Sequence, residues 1–340
     1  MSYYYLALLG FGNVGRALAR LLLRKKDELE KDYGITFDVS GIATGHHGAV
    51  IDLDGLDLQR ALYLAEDGGS LTDISRLAIS DSTEFIRLCG AEVLFENSPV
   101  NHRTGQPAVD HLRTALELGM YAITANKGPV VHAYRQLTEL ARSKNRSFYF
   151  ESTVMDGTPI FSLFREALPG ARLLGLRGIL NSTTNLILAH MEQGESFDEA
   201  VRYTQSVGLA ETDPSADIDG WDAAIKVAAL VTVLMNIPLT PQQVDRTGIR
   251  GIRAEMIASA KADGKRWKLV CSAERKEDKV KARVCPELVP ADSPLYHVAG
   301  ATSLVTFKTD VLGDLTLTEA DPTPDNTAYG LLADFINAVR

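Results

Sequence analysis

Between Gly208 and Lys226 the sequence carries Glu211, Asp213, Asp217, Asp219 and Asp222, five acids in twelve residues, and then a lysine four positions beyond the last of them. On a helix, Asp222 and Lys226 share one face. A purely structural reading is a capped helix with a surface ion pair. The residues after the lysine argue for more. Val227-Ala228-Ala229-Leu230-Val231 is apolar throughout, so Lys226 enters a helix that should be buried, where it needs a partner. A buried lysine paired with a carboxylate has the perturbed proton affinity that acid–base chemistry requires.

A second chemical signature stands near the start of the chain. Gly10-Phe11-Gly12-Asn13-Val14-Gly15 follows an apolar run, Tyr3 to Leu9, and opens a helical period from Asn13 to about Glu30. In this spacing the first glycine allows a tight turn, the second lets a pyrophosphate approach the backbone, and the third lets helix pack on strand. The helix start then offers unpaired N–H groups and a partial positive charge to phosphate. A second strand, Phe37 to Ala43, should end at the ribose. It continues Thr44-Gly45-His46-His47, with no carboxylate before Asp52. A missing acid removes repulsion against a 2′-phosphate, and Thr44, His46 or His47 could donate to one. The expected cofactor is therefore NADP or NAD, leaning to NADP.

The elements that must position these residues follow from periodicity. In the first helix Val14, Ala17, Leu18, Leu21 and Leu22 fall on one face. Glu92 to Glu96 reads as a strand, Ala108 to Leu118 as a helix, Tyr121 to Thr124 as a strand, Val130 to Ser143 as a helix, and Ser147 to Glu151 as a strand. Such alternation implies an α/β fold with a parallel Rossmann-type sheet over residues 1–150. Beyond 151 the rhythm changes. Arg172 to Leu180 reads as a strand, Phe197 to Ser206 and Ile218 to Met235 as helices, and Lys265 to Ala273, Lys279 to Val284, Ser303 to Thr309 and Asp314 to Leu317 as strands. Consecutive strands suggest a mostly antiparallel sheet, hence an α+β substrate and dimerisation domain over 151–325. A final amphipathic helix, 326–340, is expected to pack back on the first domain.

With 340 residues, 45% hydrophobic and 23% charged, the chain is long enough for two domains and too apolar for disorder. Its 35 basic and 44 acidic residues leave a net charge of −9, which disfavours binding to a nucleic-acid backbone. No apolar run reaches the ~18 residues of a membrane span, and the N-terminus lacks the basic region of a signal peptide. Cys89, Cys271 and Cys285 are odd in number and form no CxxC, as expected of reduced thiols in the cytoplasm.

Five ordered blocks make the sequence recognisable: Gly10–Gly15, Thr124-Ala125-Asn126-Lys127, Glu151-Ser152-Thr153-Val154, Gly178–Asn185, and Gly208–Lys226. From Gly10 to Asn337 the chain resembles the homoserine dehydrogenases, which interconvert L-homoserine and L-aspartate 4-semialdehyde with NAD(P). The resemblance implies that Lys226 handles the proton of the substrate hydroxyl, that Asp222 orients and charge-balances it, and that Lys127 lies between cofactor and substrate. It implies that Glu211 and Asp217 hold the substrate's amino group and hydroxyl, with Thr183 and Asn185 also at the substrate. It adds Thr44, Asn97, Ser98 and Lys127 to Gly10, Phe11, Gly12, Asn13, Val14 and Gly15 around the cofactor. The chemistry is coherent: the substrate's ammonium calls for carboxylates, and a C4 oxygen that gains negative charge calls for an ammonium donor. A sodium site is implied at Glu151, Val154, Asp156 and Thr158, mostly through main-chain carbonyls, as hard cations prefer. A homodimer is implied as well.

Three departures are visible. Ser182 stands where the family usually has glycine, Leu186 where it has tyrosine, and Ala320-Asp321-Pro322-Thr323-Pro324-Asp325-Asn326-Thr327 replaces a glycine-rich turn near the cofactor. The end at Arg340 leaves no room for a C-terminal regulatory domain, so threonine feedback through one is expected to be lacking. Two rivals remain: a semialdehyde dehydrogenase acting through a cysteine thioester, and a degenerate dinucleotide sensor.

Overall fold

Leu6, Ala7, Leu8 and Leu9 are all buried, as a central strand covered on both faces must be. They belong to β1 (Ser2–Leu9), which pairs in parallel with β2 (Ile35–Thr44) on one side and β4 (Val93–Glu96) on the other. Beyond β4 lie β5 (Tyr121–Thr124) and β6 (Phe148–Tyr149), both parallel, while β3 (Gly48–Ile51) closes the opposite edge antiparallel to β2. The order β3-β2-β1-β4-β5-β6 reverses direction at β1. A crevice opens outside the carboxyl ends of strands at such a point. The computed structural model describes residues 2–340.

The helices of this sheet are α1 (Asn13–Tyr33), α2 (Leu58–Glu66), α3 (Ser82–Leu88), α4 (Ala108–Glu117), α5 (Lys127–His132) and α6 (Tyr134–Ser143). The single helix expected over 130–143 is thus two, separated at Ala133. The strand expected over 147–151 shrinks to two residues, because Glu151–Thr153 forms a 3₁₀ turn.

Two compact units divide the chain, Met1–Ile160 with Thr323–Arg340, and Phe161–Pro322. The first boundary lies about ten residues beyond 150, because residues 151–160 are bound to the returning helix. The Glu151 backbone N–H donates to Asp334 (2.7 Å), the Ser152 hydroxyl donates to the Thr327 carbonyl (2.7 Å), and Thr327 donates to Asp156 (2.7 Å). Within this unit Phe335 sits fully buried edge-on to Tyr4 and Phe95.

The second unit is built on a six-stranded sheet in the order β12-β11-β7-β9-β10-β8, antiparallel except for β8 against β10. Its strands are β7 (Leu173–Ile179), β8 (Asp245–Arg246), β9 (Lys265–Lys276), β10 (Lys279–Pro290), β11 (Ser303–Thr309) and β12 (Asp314–Glu319). Its helices are α7 (Ser182–Glu192), α8 (Phe197–Ser206), α9 (Ser215–Ile218), α10 (Trp221–Leu234) and α11 (Ala254–Ala262); α7, α10 and α11 pack on β9. The helix expected to run unbroken from Ile218 is interrupted at Gly220, whose φ of 78° is left-handed and starts α10 afresh. The chain then returns to the first unit as α12 (Pro324–Val339). The unusual 320–327 segment is its start: Pro324 leads the helix and Thr323 forms a capping box with Asn326.

Candidate functional site

The glycine turn has the geometry that its spacing implies. Gly10 has φ +102°, and a Cβ there would lie 2.4 Å from the Asn97 carbonyl oxygen; one at Gly15 would lie 2.2 Å from the Gly10 carbonyl oxygen. Both positions are closed to any side chain. Gly12 differs, because nothing lies within 4 Å of its Cβ position and no side chain caps the start of α1. Open space in front of unpaired N–H groups is what a phosphate fills. Beside it, both polar atoms of the Asn97 amide are buried without a hydrogen-bond partner in the protein, which suits a ligand amide or hydroxyl. Phe11 is core, 1% exposed, so only its backbone is available to a cofactor; Asn13 is exposed and Val14 half-buried.

A cleft of about 360 Å³ leads away from this turn past Thr44, Gly45, Asp81, Ser82, Ser98 and His111. Among the described residues, no lysine or arginine lines it. Of the three expected 2′-phosphate donors, the Thr44 hydroxyl accepts from the His46 and His47 backbone N–H groups (3.0 and 3.2 Å), and the His47 ring is bonded to the Gly69 carbonyl (2.9 Å). Only His46 stays exposed. Two of the lining residues, Ser98 and His111, bond Glu96, which is fully buried at the end of β4 and also accepts from Thr124. Sequence reasoning missed Glu96 and His111, which meet each other across 15 positions and reach Thr124 and Ser82 across 28 and 29. Lys127, half-buried, opens α5 just after Asn126, which caps that helix and donates to the Ser98 carbonyl (3.0 Å).

In the second unit the acidic block resolves into two groups. Asp219 is drawn outward to Arg250 (2.5 Å), and its carbonyl accepts from Arg246, which stacks on the Trp221 ring. Asp217 and Asp222 turn inward. The Lys226 Nζ donates to Asp222 Oδ2 (2.8 Å) and to the Leu180 carbonyl (2.7 Å), with the two charged side chains only 17% and 22% exposed. The pair is the i,i+4 contact expected from the sequence, on a helix whose neighbouring turns are buried. Asn181 spans the two acids, donating to Asp217 Oδ1 (2.6 Å) and Asp222 Oδ2 (3.0 Å). Burial first, and then the charge of Asp222, push the Asp217 carboxyl up to about 6, against the bonds from Asn181 and Thr183 and the charge of Lys226. An ammonium with two carboxylates in a half-buried recess can bind a cationic amine and exchange a proton with a neighbouring hydroxyl.

The sequence model of the family described as homoserine dehydrogenase matches residues 159–336. The NAD(+)-dependent homoserine dehydrogenase of Pseudomonas canavaninivorans is 37% identical over 339 residues, covering 99% of this chain and 96% of that protein. This chain belongs to the homoserine dehydrogenase family. A homoserine dehydrogenase of Methanocaldococcus jannaschii is 36% identical over 97% of both chains. Among solved structures, a hyperthermophilic archaeal homoserine dehydrogenase in complex with NADPH superposes with a TM-score of 0.84 at 30% identity, covering 99% of this chain and 98% of that one. The enzyme from Thiobacillus denitrificans gives 0.84 at 28% identity, with 100% and 74% coverage. The protein is thus an NAD(P)-dependent oxidoreductase of amino-acid biosynthesis.

Not every residue implied by the resemblance faces the cluster of this dehydrogenase. Thr183 does, since its hydroxyl helps to lower Asp217, while donating to the Leu209 carbonyl (3.4 Å). Asn185, expected at the substrate, makes its side-chain bonds elsewhere. Its amide donates to the Val298 and Gly300 carbonyls (3.3 and 3.0 Å) and accepts from Lys268 (2.8 Å), so it ties α7 to the loop before β11. Lys268 itself is 2% exposed, and burial lowers it to about 8. The Glu211 side chain is exposed, and its carbonyl accepts from Gln205 (3.2 Å). Ser182, the departure from glycine, donates to the Ala301 carbonyl (2.7 Å). Glu151 and Val154 are buried, and Met155 and Asp156 both have left-handed φ. The thioester rival loses ground on all three thiols: each is raised, mainly by burial, Cys271 to about 12. No helix among the described residues is long and apolar enough to cross a membrane.

Proposed function

We propose that the chain interconverts L-homoserine and L-aspartate 4-semialdehyde at the Asp217–Asp222–Lys226 cluster. The observation that carries this reading is the Lys226 ammonium pinned between Asp222 and the Leu180 carbonyl at the head of an apolar helix. In the reducing direction the Lys226 ammonium gives a proton to the C4 oxygen and is left as the neutral amine; in the oxidising direction that neutral amine takes the C4 hydroxyl proton and becomes the ammonium again. Asp222 fixes the lysine's position and balances its charge, while Asp217 accepts the substrate's α-ammonium, with Glu211 as a second anion for it. Lys127 is assigned as a second catalytic lysine, and Lys127→Ala should lower kcat. When bound in the Gly10–Gly15 turn, a nicotinamide dinucleotide supplies the acceptor for the hydride. Initial rates with L-homoserine and either dinucleotide, read at the absorbance of the reduced nicotinamide, test the reading; no turnover with either would end it.

The cleft supports NAD over NADP, the reverse of the leaning taken from the missing acid. A dianionic 2′-phosphate calls for arginine or lysine, and the lining offers neither while it includes Asp81. A kcat/KM for NAD at least tenfold above that for NADP is expected; a preference for NADP would reject this assignment. The 151–158 segment supports a sodium ion held by the Val154, Asp156 and Thr158 carbonyls with Glu151, since the Asp156 carboxylate is already engaged by Thr327. Exchange of sodium for tetramethylammonium should then lower Tm. A homodimer through the face of the second sheet that carries Arg177, Glu274, Arg283 and Glu287 fits its mixed charges, and light scattering would show a monomer if this is wrong. Three free, buried thiols fit a cytoplasmic setting.

A further inference from the structure

Asn181 follows β7, caps α7, and reaches both α9 and α10. Its side chain is 4% exposed, and its amide is fully occupied. The oxygen accepts from the backbone N–H and the hydroxyl of Thr184 (both 2.8 Å). Because a backbone N–H can only donate, this contact fixes the amide's orientation and aims both hydrogens of Nδ2 at the carboxylates, Asp217 at 2.6 Å and Asp222 at 3.0 Å. Two half-buried acids reached by one nitrogen tend to share a proton. One amide hydrogen for each is the alternative. We propose that Asn181 is a positioning residue for the dehydrogenase reaction: its bridging amide holds Asp217 and Asp222 as two separate ionised carboxylates, one for the substrate's ammonium and one for Lys226. This rests on the reading of the cluster as the catalytic centre.

The groups around Asp217 come from several elements. Asp222 and Lys226 face it from α10 and the Thr183 hydroxyl from α7, with Asn181 between; Cys271 on β9 lies in the field of Asp222 and Lys226. Asn181, itself neutral, is bonded to both acids at once. A bare helix-capping role makes a different prediction, because serine caps as well as asparagine but cannot span two carboxylates.

Asn181→Ser in the full chain separates the roles, and Asn181→Asp keeps the cap while adding a third acid. The readouts are carbon-13 NMR of labelled aspartate carboxyls from pH 4 to 9 and the pH profile of kcat/KM for homoserine. In the unsubstituted protein one carboxyl should titrate near 6, identified by its loss in Asp217→Asn. In Asn181→Ser that midpoint should rise by about one unit, and the acid limb of kcat/KM should move with it, about a fivefold loss at pH 6. In Asn181→Asp it should rise further. An unchanged midpoint in a folded Asn181→Ser protein overturns the bridge; a midpoint that moves without the acid limb overturns its catalytic role. Absence of homoserine turnover in the unsubstituted protein would sink the functional reading and that catalytic role, while the carboxyl titration judges the bridge by itself.

Discussion

Replacing Lys226 by alanine removes the group on which the proposed chemistry turns, and two energies decide what is observed. The first is structural. Lys226 gives up two hydrogen bonds, of 2.8 Å to Asp222 and 2.7 Å to the Leu180 carbonyl. Breaking a fully buried pair costs ~3–5 kcal/mol. With both side chains about one-fifth exposed and Asp222 still bonded to Asn181, a cost of about 1–2 kcal/mol is expected. A domain stable by ~5–15 kcal/mol survives that. The second energy is catalytic. Loss of a positioned acid–base group costs ~10²–10⁴ in rate, about 3–5 kcal/mol of barrier at 1.36 kcal/mol per decade. Initial rates near pH 8.5, alongside circular dichroism, should therefore show a native fold with kcat down by about a thousandfold and KM for homoserine within about threefold. Added small primary amines should restore part of the rate. A folded Lys226→Ala enzyme within tenfold of the original kcat would refute the assignment.

Gly12→Ala should leave Tm unchanged, since its Cβ meets nothing, yet raise the dinucleotide KM at least tenfold; equal KM values would show that no phosphate approaches this turn. Asp217 stands at about 6 in the folded protein against 3.8 for the free group, so between those values the folded state binds more protons and stability falls as pH rises. Asp217→Asn should therefore raise Tm at pH 7.5, by up to about 3 kcal/mol of stability, and lose this gain below pH 4, while homoserine binding weakens; an equal gain at both pH values would contradict the shift. Lys268 runs the other way: its folded value, about 8, lies below 10.5, so the unfolded chain binds more protons across that window and stability climbs with pH. Urea midpoints measured from pH 8 to 10 should rise in the natural protein and rise less in Lys268→Met.

What could be read in advance was local. The apolar run of β1, the glycine spacing and the face of α1 lie within thirty-three residues, and a strand–turn–helix pattern needs nothing distant to be recognised. Asp222 and Lys226 were legible because one helix holds both. Asn181 was not visible as a site residue, since the acids it bridges are 36 and 41 positions away. That Lys268, on a strand 83 positions later, donates to the Asn185 oxygen was equally out of reach of the sequence. The breaks at Ala133 and at Asp219–Gly220 escaped periodicity, which continues across an interruption of one or two residues. Edge strand β3 and the short helices α2 and α3 were hidden because each is too brief for a repeating pattern. The start of α7, Ser182-Thr183-Thr184-Asn185, is poor in helix formers and is held by the Asn181 cap.

The returning helix α12 bears on how the chain is made. Phe335 and Leu331 are core residues of a unit whose other strands and helices all precede residue 161. A nascent chain that has emerged only as far as the middle of the second sheet still has an apolar groove over α1 waiting for its cover. The nucleotide fold is therefore completed after the module inserted into it, and a fragment cut near residue 160 should behave as a sticky, half-built intermediate until the 323–340 peptide is supplied in trans.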